Sequence, residues 1–246
     1  PKVEEIDLPA AADMGVSIEG SDCWWPMEKT GAVLPEFDPF NQQEYYIEVF
    51  NRGQTPFEYK IESGQSWLKV TPNQGKVDKE QRVWVSVDWK QAPVGTHRIP
   101  ITVAGPNKSS IVVQAVIKNP AISEEDKVRG FVESNGYVSI EAEHYTKAVD
   151  SESIKWLRIP NLGRTLSGIT PMPVTAKSQT PAANSPRLEY CLHLFSSGKV
   201  GVNVYLSPTQ NFHNTIGLRY AISFDDQTPQ IINIHEKDTI PDWKYP

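Results

Sequence analysis

Glu141 and Glu143 are the side chains whose type and spacing most readily support chemistry. They sit in Tyr137-Val138-Ser139-Ile140-Glu141-Ala142-Glu143-His144-Tyr145, which reads as a β-strand running into a polar loop. Side chains alternate along a strand, so Val138, Ile140 and Ala142 would face a core, with Ser139, Glu141 and Glu143 on the opposite side. Two carboxylates at spacing two near a strand end can offer oxygen ligands to a hard cation such as calcium. Two solvated carboxylates meet the same spacing, and spacing by itself favours that plainer reading. His144 and His193 have no partners at zinc-ligand spacing.

Composition limits the alternatives. A chain of 246 residues suits one large or two ordinary domains. With 39% hydrophobic and 22% charged residues it folds and does not stay disordered. The net charge of −6 leaves no basic patch of the size nucleic acid requires. No apolar run approaches the roughly 18 residues of a membrane-spanning helix. Cys23 and Cys191 lack a CxxC or Cys/His neighbour, so a redox or metal motif is not indicated, while a disulfide between them stays open. The chain opens at Pro1 with neither a start methionine nor a signal peptide, which suggests a mature product or a fragment.

Twenty prolines against 15 glycines and few helical periodicities point to an all-β chain with rigid loops. Apolar residues alternate with polar ones at Tyr45-Ile47-Val49, Phe57-Tyr59-Ile61, Val83-Val85-Val87, Ile99-Ile101-Val103 and Ile111-Val113-Ala115-Ile117. Period two at short intervals, punctuated by Asn51-Arg52-Gly53 and Pro72-Asn73-Gln74-Gly75, predicts an immunoglobulin-like β-sandwich over 38–118. Residues 1–37 read as a connecting segment. Trp67 reads as a core anchor at a strand start. Asn119-Pro120 and a capped turn at Ser123-Glu124-Glu125-Asp126 mark a linker over 119–128. Alternation then resumes at Leu188-Tyr190-Leu192-Leu194, Val200-Val202-Val204-Leu206, Leu218-Tyr220-Ile222 and Ile232-Ile234. These runs predict a second sandwich, a jelly roll over 129–246.

Several segments in one order resemble a known family. Trp84-Val85-Ser86-Val87-Asp88-Trp89, Ala92-Pro93-Val94-Gly95, Gly136 through Tyr145, Gly163-Arg164-Thr165-Leu166-Ser167-Gly168 and Gly217-Leu218-Arg219-Tyr220-Ala221 look like the C-terminal region of glycoside hydrolase family 115. The strand at 137–145 also resembles the opening strand of sugar-binding sandwich modules of families 6 and 35. Family 115 enzymes are xylan α-1,2-glucuronidases that remove glucuronic acid or its 4-O-methyl ether with inversion. The resemblance implies a catalytic barrel N-terminal to this chain, xylan or glucuronoxylan as partner, and secretion or periplasmic export. It also implies that the second module is carbohydrate-binding-like and cut short at Pro246, which places a last-strand calcium ligand in doubt. Inverting hydrolysis needs two carboxyl groups about 6.5–9.5 Å apart across a bond. Glu141 and Glu143 are too close on one strand face for that, so no catalytic residue is assigned.

Under this resemblance, sugar-binding candidates are Trp156, Tyr205, Asn211, Phe212 and Arg219. Aromatic faces stack on sugar C–H faces, planar polar groups meet hydroxyls, and an arginine can grip a uronate carboxylate. Trp156 and Phe212 could equally be packing residues, and Arg219 could pair internally with Asp225 or Asp226. Trp24, Trp25 and Trp84 read as outward aromatics for contact with the parent enzyme's catalytic domains or for a homodimer, with Trp84 packing either on such a domain or on the Trp24-Trp25 segment.

Overall fold

The computed structural model describes residues 7–121, 128–181, 185–211 and 217–236. The turn expected at 123–126 lies outside them, as do Phe212 and the C-terminal residues from 237 onward. The chain is all-β, with a short 3-10 turn at Pro106–Lys108 among the described residues. No helix among them is long and apolar enough to cross a membrane. Two compact units are present, with the break between Val138 and Ser139.

The first unit holds β1 (Met14–Ile18), β2 (Trp24–Trp25), β3 (Ala32–Val33), β4 (Tyr45–Asn51), β5 (Phe57–Ser63) and β6 (Leu68–Thr71). It continues through β7 (Gln74–Val77), β8 (Glu80–Val87), β9 (Gly95–Ala104), β10 (Ser110–Asn119) and β11 (Phe131–Val132). One five-stranded sheet has the order β2-β1-β4-β8-β6, the other β3-β10-β9-β5-β7. Their inner faces close on one apolar core that includes Ile47, Val49, Ile61, Val83, Val85, Ile101 and Val113. Alternation predicts this well, because each inward residue has an outward polar neighbour on the same strand. Trp67 is buried in that core, as expected.

Residues before Asp38 do more than connect. Met14, Val16 and Ile18 are buried, and β1 pairs with both β2 and β4. Strand β3 runs parallel to β10, and Phe37 extends that pairing: its N–H donates to Val116 O and its carbonyl accepts from Lys118 N, each at 2.9 Å. Gly53 allows the incoming chain to lie close, since a Cβ there would stand 1.8 Å from Ala11 O.

A polar hub at Asp38 ties residues 132–135 to the start of the sandwich. Asp38 accepts from the Phe40 and Asn41 N–H groups at 3.0 and 2.8 Å and from Gln43 Nε2 at 2.5 Å. Gln43 Nε2 also donates to Ser134 Oγ at 2.7 Å. Asn135 accepts from Glu36 N at 2.8 Å and donates to the Tyr45 hydroxyl at 3.1 Å. The stretch 131–137, expected in the second domain, is thereby built into the first unit.

The second unit contains β12 (Lys147–Val149), β13 (Lys155–Ile159), β14 (Gly168–Met172), β15 (Arg187–Glu189), β16 (Leu192–His193), β17 (Arg219–Ile222) and β18 (Gln230–Asn233). Antiparallel ladders join β12 to β15, β13 to β14 and β17 to β18. Two alternating runs do not become the strands they promised. Residues 138–146 are irregular, with Ile140 exposed and Glu141 and Glu143 half-buried, the reverse of the expected facing. Val200, Val202, Val204 and Leu206 are likewise irregular and exposed. A strand is completed by a partner's hydrogen-bond ladder; among the described residues the first segment has one such bond at its very end, Thr146 N to Glu189 O at 2.7 Å, and no ladder runs alongside the rest of it or alongside 200–206.

Candidate functional site

The irregular path of 138–146 follows from what holds its carboxylates. Glu143, with a side chain 8% exposed, is met by the Arg158 guanidinium from β13, whose Nε also donates to Ser167 Oγ at 3.0 Å. The Ser167 hydroxyl beside it, reinforced by Arg158, holds the Glu143 carboxyl below the usual carboxylate range against the opposing effect of burial. Glu141 accepts a hydrogen bond from the Thr165 hydroxyl. The two carboxylates are thus tied to the loop and strand between 158 and 167, each by a different group.

This arrangement does not fit calcium. A guanidinium stands against the oxygen that a divalent cation would need, and like charges so close repel strongly. Among the described residues, no three or more His, Cys, Asp or Glu side chains are placed to hold a metal ion. A chelator should therefore leave the melting temperature unchanged, as followed by differential scanning calorimetry. A fall of several degrees would restore a structural ion to the account, because loss of a ligand bound only to the folded state destabilises it.

The sugar-binding candidates do not converge. Trp156 is half-buried, faces Pro171 across the β13–β14 ladder, and donates from Nε1 to Val149 O at 3.2 Å. Tyr205 is 77% exposed on the irregular stretch, with the Arg164 guanidinium 5.6 Å from its ring centroid. Asn211 is half-buried beyond it. Arg219 is exposed on β17 opposite Asn233, and no ion pair joins it to Asp225 or Asp226 among the described residues. No hydrogen bond or ring contact links Trp156, Tyr205 and Arg219 to one another among those residues.

Aromatic residues do gather in the first unit, on the outer face of the β2-β1-β4-β8-β6 sheet. Trp24 meets Phe50 edge to face at 5.9 Å, and the Arg52 guanidinium lies 4.2 Å over the Trp24 ring. Tyr46 meets Trp84 in the same manner at 6.0 Å, under the Arg82 guanidinium at 4.2 Å. Arg82 also pairs with Glu48 at 3.1 Å. Trp84 faces outward, 44% exposed, and packs on Tyr46 and not on the Trp24-Trp25 segment. Trp25 turns inward, buried, with Nε1 donating to Thr30 O at 2.6 Å. Adjacent strand residues face opposite ways, so Trp24 and Trp25 cannot both serve an outer surface. Sequence reading missed Phe50, Arg52 and Arg82 here, although Tyr46-Glu48-Phe50 is the polar-side partner of the Tyr45-Ile47-Val49 alternation.

Comparison with known proteins separates the two halves. Residues 130–246 match the model of the glycosyl hydrolase family 115 C-terminal domain. From residue 130 onward, the chain is similar to the C-terminal domain of family 115. Residues 37–115, ahead of that stretch, match a model described as a viral BACON domain. No curated protein matches the chain. Among solved structures, a Bacteroides ovatus family 5 xyloglucanase in complex with a XXXG heptasaccharide is similar at 15% identity and a TM-score of 0.30. That match covers 47% of this chain, which spans only 21% of the xyloglucanase. The Caenorhabditis elegans protein SSP-19, an MSP-domain protein like family member, is 10% identical at a TM-score of 0.28, over 36% of this chain and 94% of its own. The CsuC-CsuE chaperone-tip adhesion subunit pre-assembly complex of Acinetobacter baumannii is 12% identical at a TM-score of 0.32, over 73% and 89%.

Proposed function

We propose that this chain is the non-catalytic C-terminal accessory region of a xylan α-1,2-glucuronidase. The parent enzyme would hydrolyse glucuronic acid, or its 4-O-methyl ether, from xylan side chains. The observation that carries this reading is the match of residues 130–246 to the family 115 C-terminal domain. Chemistry on this chain is disfavoured by the state of its most suggestive carboxylates. Glu143 is held by Arg158 and Glu141 by Thr165, so neither stands free to activate water across a glycosidic bond.

The region acts through stability, assembly or substrate capture. Trp84 and its neighbours on the outer sheet face supply the Trp, Tyr and Arg composition that dominates protein contacts, and the catalytic domains are the natural partner. Arg219, exposed at a strand start, is suited to a uronate carboxylate and the exposed Tyr205 ring to a sugar face, as separate contacts and not as one site. A polysaccharide substrate places the parent enzyme outside the cytoplasm, in the periplasm or the medium.

Purified chain incubated with glucuronoxylan should release no uronic acid above buffer. Added at about 100 times its dissociation constant to a separately expressed catalytic portion, it should stabilise that portion by about 2.7 kcal/mol, or increase its retention on xylan. Uronic acid liberated by the chain alone would overturn the proposal. So would a catalytic portion indifferent to the chain in both stability and substrate retention.

A further inference from the structure

The chain holds one Asn-Gly pair, Asn135-Gly136, and it closes a two-residue hairpin between Ser134 and Tyr137. Ser134 N donates to Tyr137 O at 2.9 Å, and Tyr137 N to Ser134 O at 3.1 Å. Both central residues take positive φ, 52° at Asn135 and 81° at Gly136, the geometry for which Asn-Gly is the favoured pair. The turn accounts for the two residue types, but not for what the Asn135 amide does. Its Oδ1 accepts from Glu36 N at 2.8 Å while its Nδ2 donates to Glu36 O at 3.2 Å, so the side chain pairs with that backbone as a neighbouring strand would. Nδ2 also reaches the Tyr45 hydroxyl at 3.1 Å and Ser134 Oγ at 3.2 Å. An amide can both give and take at one backbone unit, whereas an ionised carboxylate only accepts.

We propose that Asn135 is a site of self-modification whose product releases residues 131–137 from the first unit. The Gly136 nitrogen attacks the side-chain carbonyl carbon of Asn135, a new C–N bond closes a succinimide ring, and the bond to Nδ2 breaks. Ammonia leaves, its third hydrogen coming from the Gly136 N–H. Water then opens the ring at either carbonyl and leaves aspartate or isoaspartate at 135, with nothing oxidised or reduced. Glycine suits the attacking position because it carries no Cβ, and nothing stands within 4 Å of where one would be. Asn135 and Gly136 are both exposed, so water reaches the ring. Bonds to Glu36, Tyr45 and Ser134 hold the amide in the closed hairpin, so attack follows local opening.

Either product ends the pairing with Glu36. A carboxylate oxygen in place of Nδ2 faces the Glu36 carbonyl with nothing to donate, which opposes two acceptors. Isoaspartate also adds a methylene to the backbone of a two-residue turn. The bond from Gln43 Nε2 to Ser134 Oγ remains, but its acceptor sits on the hairpin that is disrupted. Loss of ammonia makes the change one-way. The stretch 131–137 lies just before the break between the two units, so its release lengthens the free chain that joins them.

The test ages the full chain in mildly alkaline buffer and follows it by peptide mapping with mass spectrometry and by amide hydrogen exchange. Asn135 should convert several-fold faster than Asn161, which is also exposed and at positive φ but is followed by leucine. Tyr45→Phe, which removes one acceptor from the amide, should speed conversion about fivefold, the equivalent of one hydrogen bond. Asn135→Asp should raise exchange at the Ser134 and Tyr137 amides about tenfold in fresh protein. An Asn135 that stays intact while the same chain unfolded in urea converts would overturn the site, because the fold then shields it. Conversion equally fast at Asn161 would also overturn it. Unaltered exchange at Ser134 and Tyr137, in aged protein and in Asn135→Asp alike, would overturn the release.

Discussion

Phe37→Ala should destabilise the first unit by about 3–5 kcal/mol and lower its melting temperature by roughly 10–20 °C. Phe37 is fully buried and meets Tyr45 edge to face at 4.8 Å. It sits where the chain turns from the parallel pairing along β10 into the Asp38 hub, so its ring closes one end of the sandwich. Truncation removes the apolar contact and leaves a cavity between two sheets that cannot collapse onto each other, which places the cost near the upper part of the range. Thermal denaturation followed by tryptophan fluorescence measures it. A loss below about 1 kcal/mol, the scale of a surface change, would return the segment before Asp38 to the role of a connector.

Asp38→Ala should cost about 3 kcal/mol at neutral pH, because hydrogen bonds to a charged group contribute about 1.5–3 kcal/mol each and their donors would be left buried. Burial pushes the Asp38 carboxyl up, yet the Asn41 N–H, the Gln43 amide and the Ser134 hydroxyl together outweigh it and hold the carboxyl below its ordinary value. The sign follows from linkage. A depressed folded value means stability that is complete above the unfolded value of about 3.9 and lost as pH falls through the folded one. The gap between wild type and variant should therefore be wide at pH 7 and shrink below about pH 4. Tyr45, in the same hub, is pushed up to about 12 chiefly by burial. Its contribution is complete below about 10 and is lost as pH rises through that folded value. Urea denaturation of both proteins across the pH range reads this directly. An Asp38→Ala penalty as large at pH 3 as at pH 7 would show that shape, not charge, holds the hub.

Strand identity in the first unit was legible because Tyr45-Ile47-Val49, Phe57-Tyr59-Ile61 and Val83-Val85 each carry a full apolar face. The run Met14-Val16-Ile18 carries the same signal but is short and separated from the rest by two-residue strands, so it read as a connector. The candidate site was less legible. Trp24 and Trp84 read as outward aromatics, and both lie on the outer face, but the arginines over the neighbouring rings come from other strands and leave no local trace. Residues that meet only through sheet register have sequence separations unrelated to their distance in space.

The sequence by itself determined that this chain is all-β, which residues could face a core, and which family its later half resembles. All three are properties of local alternation and of residue order. Only the tertiary structure decided that 131–137 joins the first unit, that Glu143 is taken by Arg158, and that Trp25 turns inward while Trp24 meets Phe50 on the outer face. Alternation makes a segment eligible for a sheet, but the hydrogen-bond ladder and the opposing side chain come from distant parts of the chain. Val200 to Leu206 shows the difference: a regular apolar period, and no neighbouring strand among the described residues to complete it.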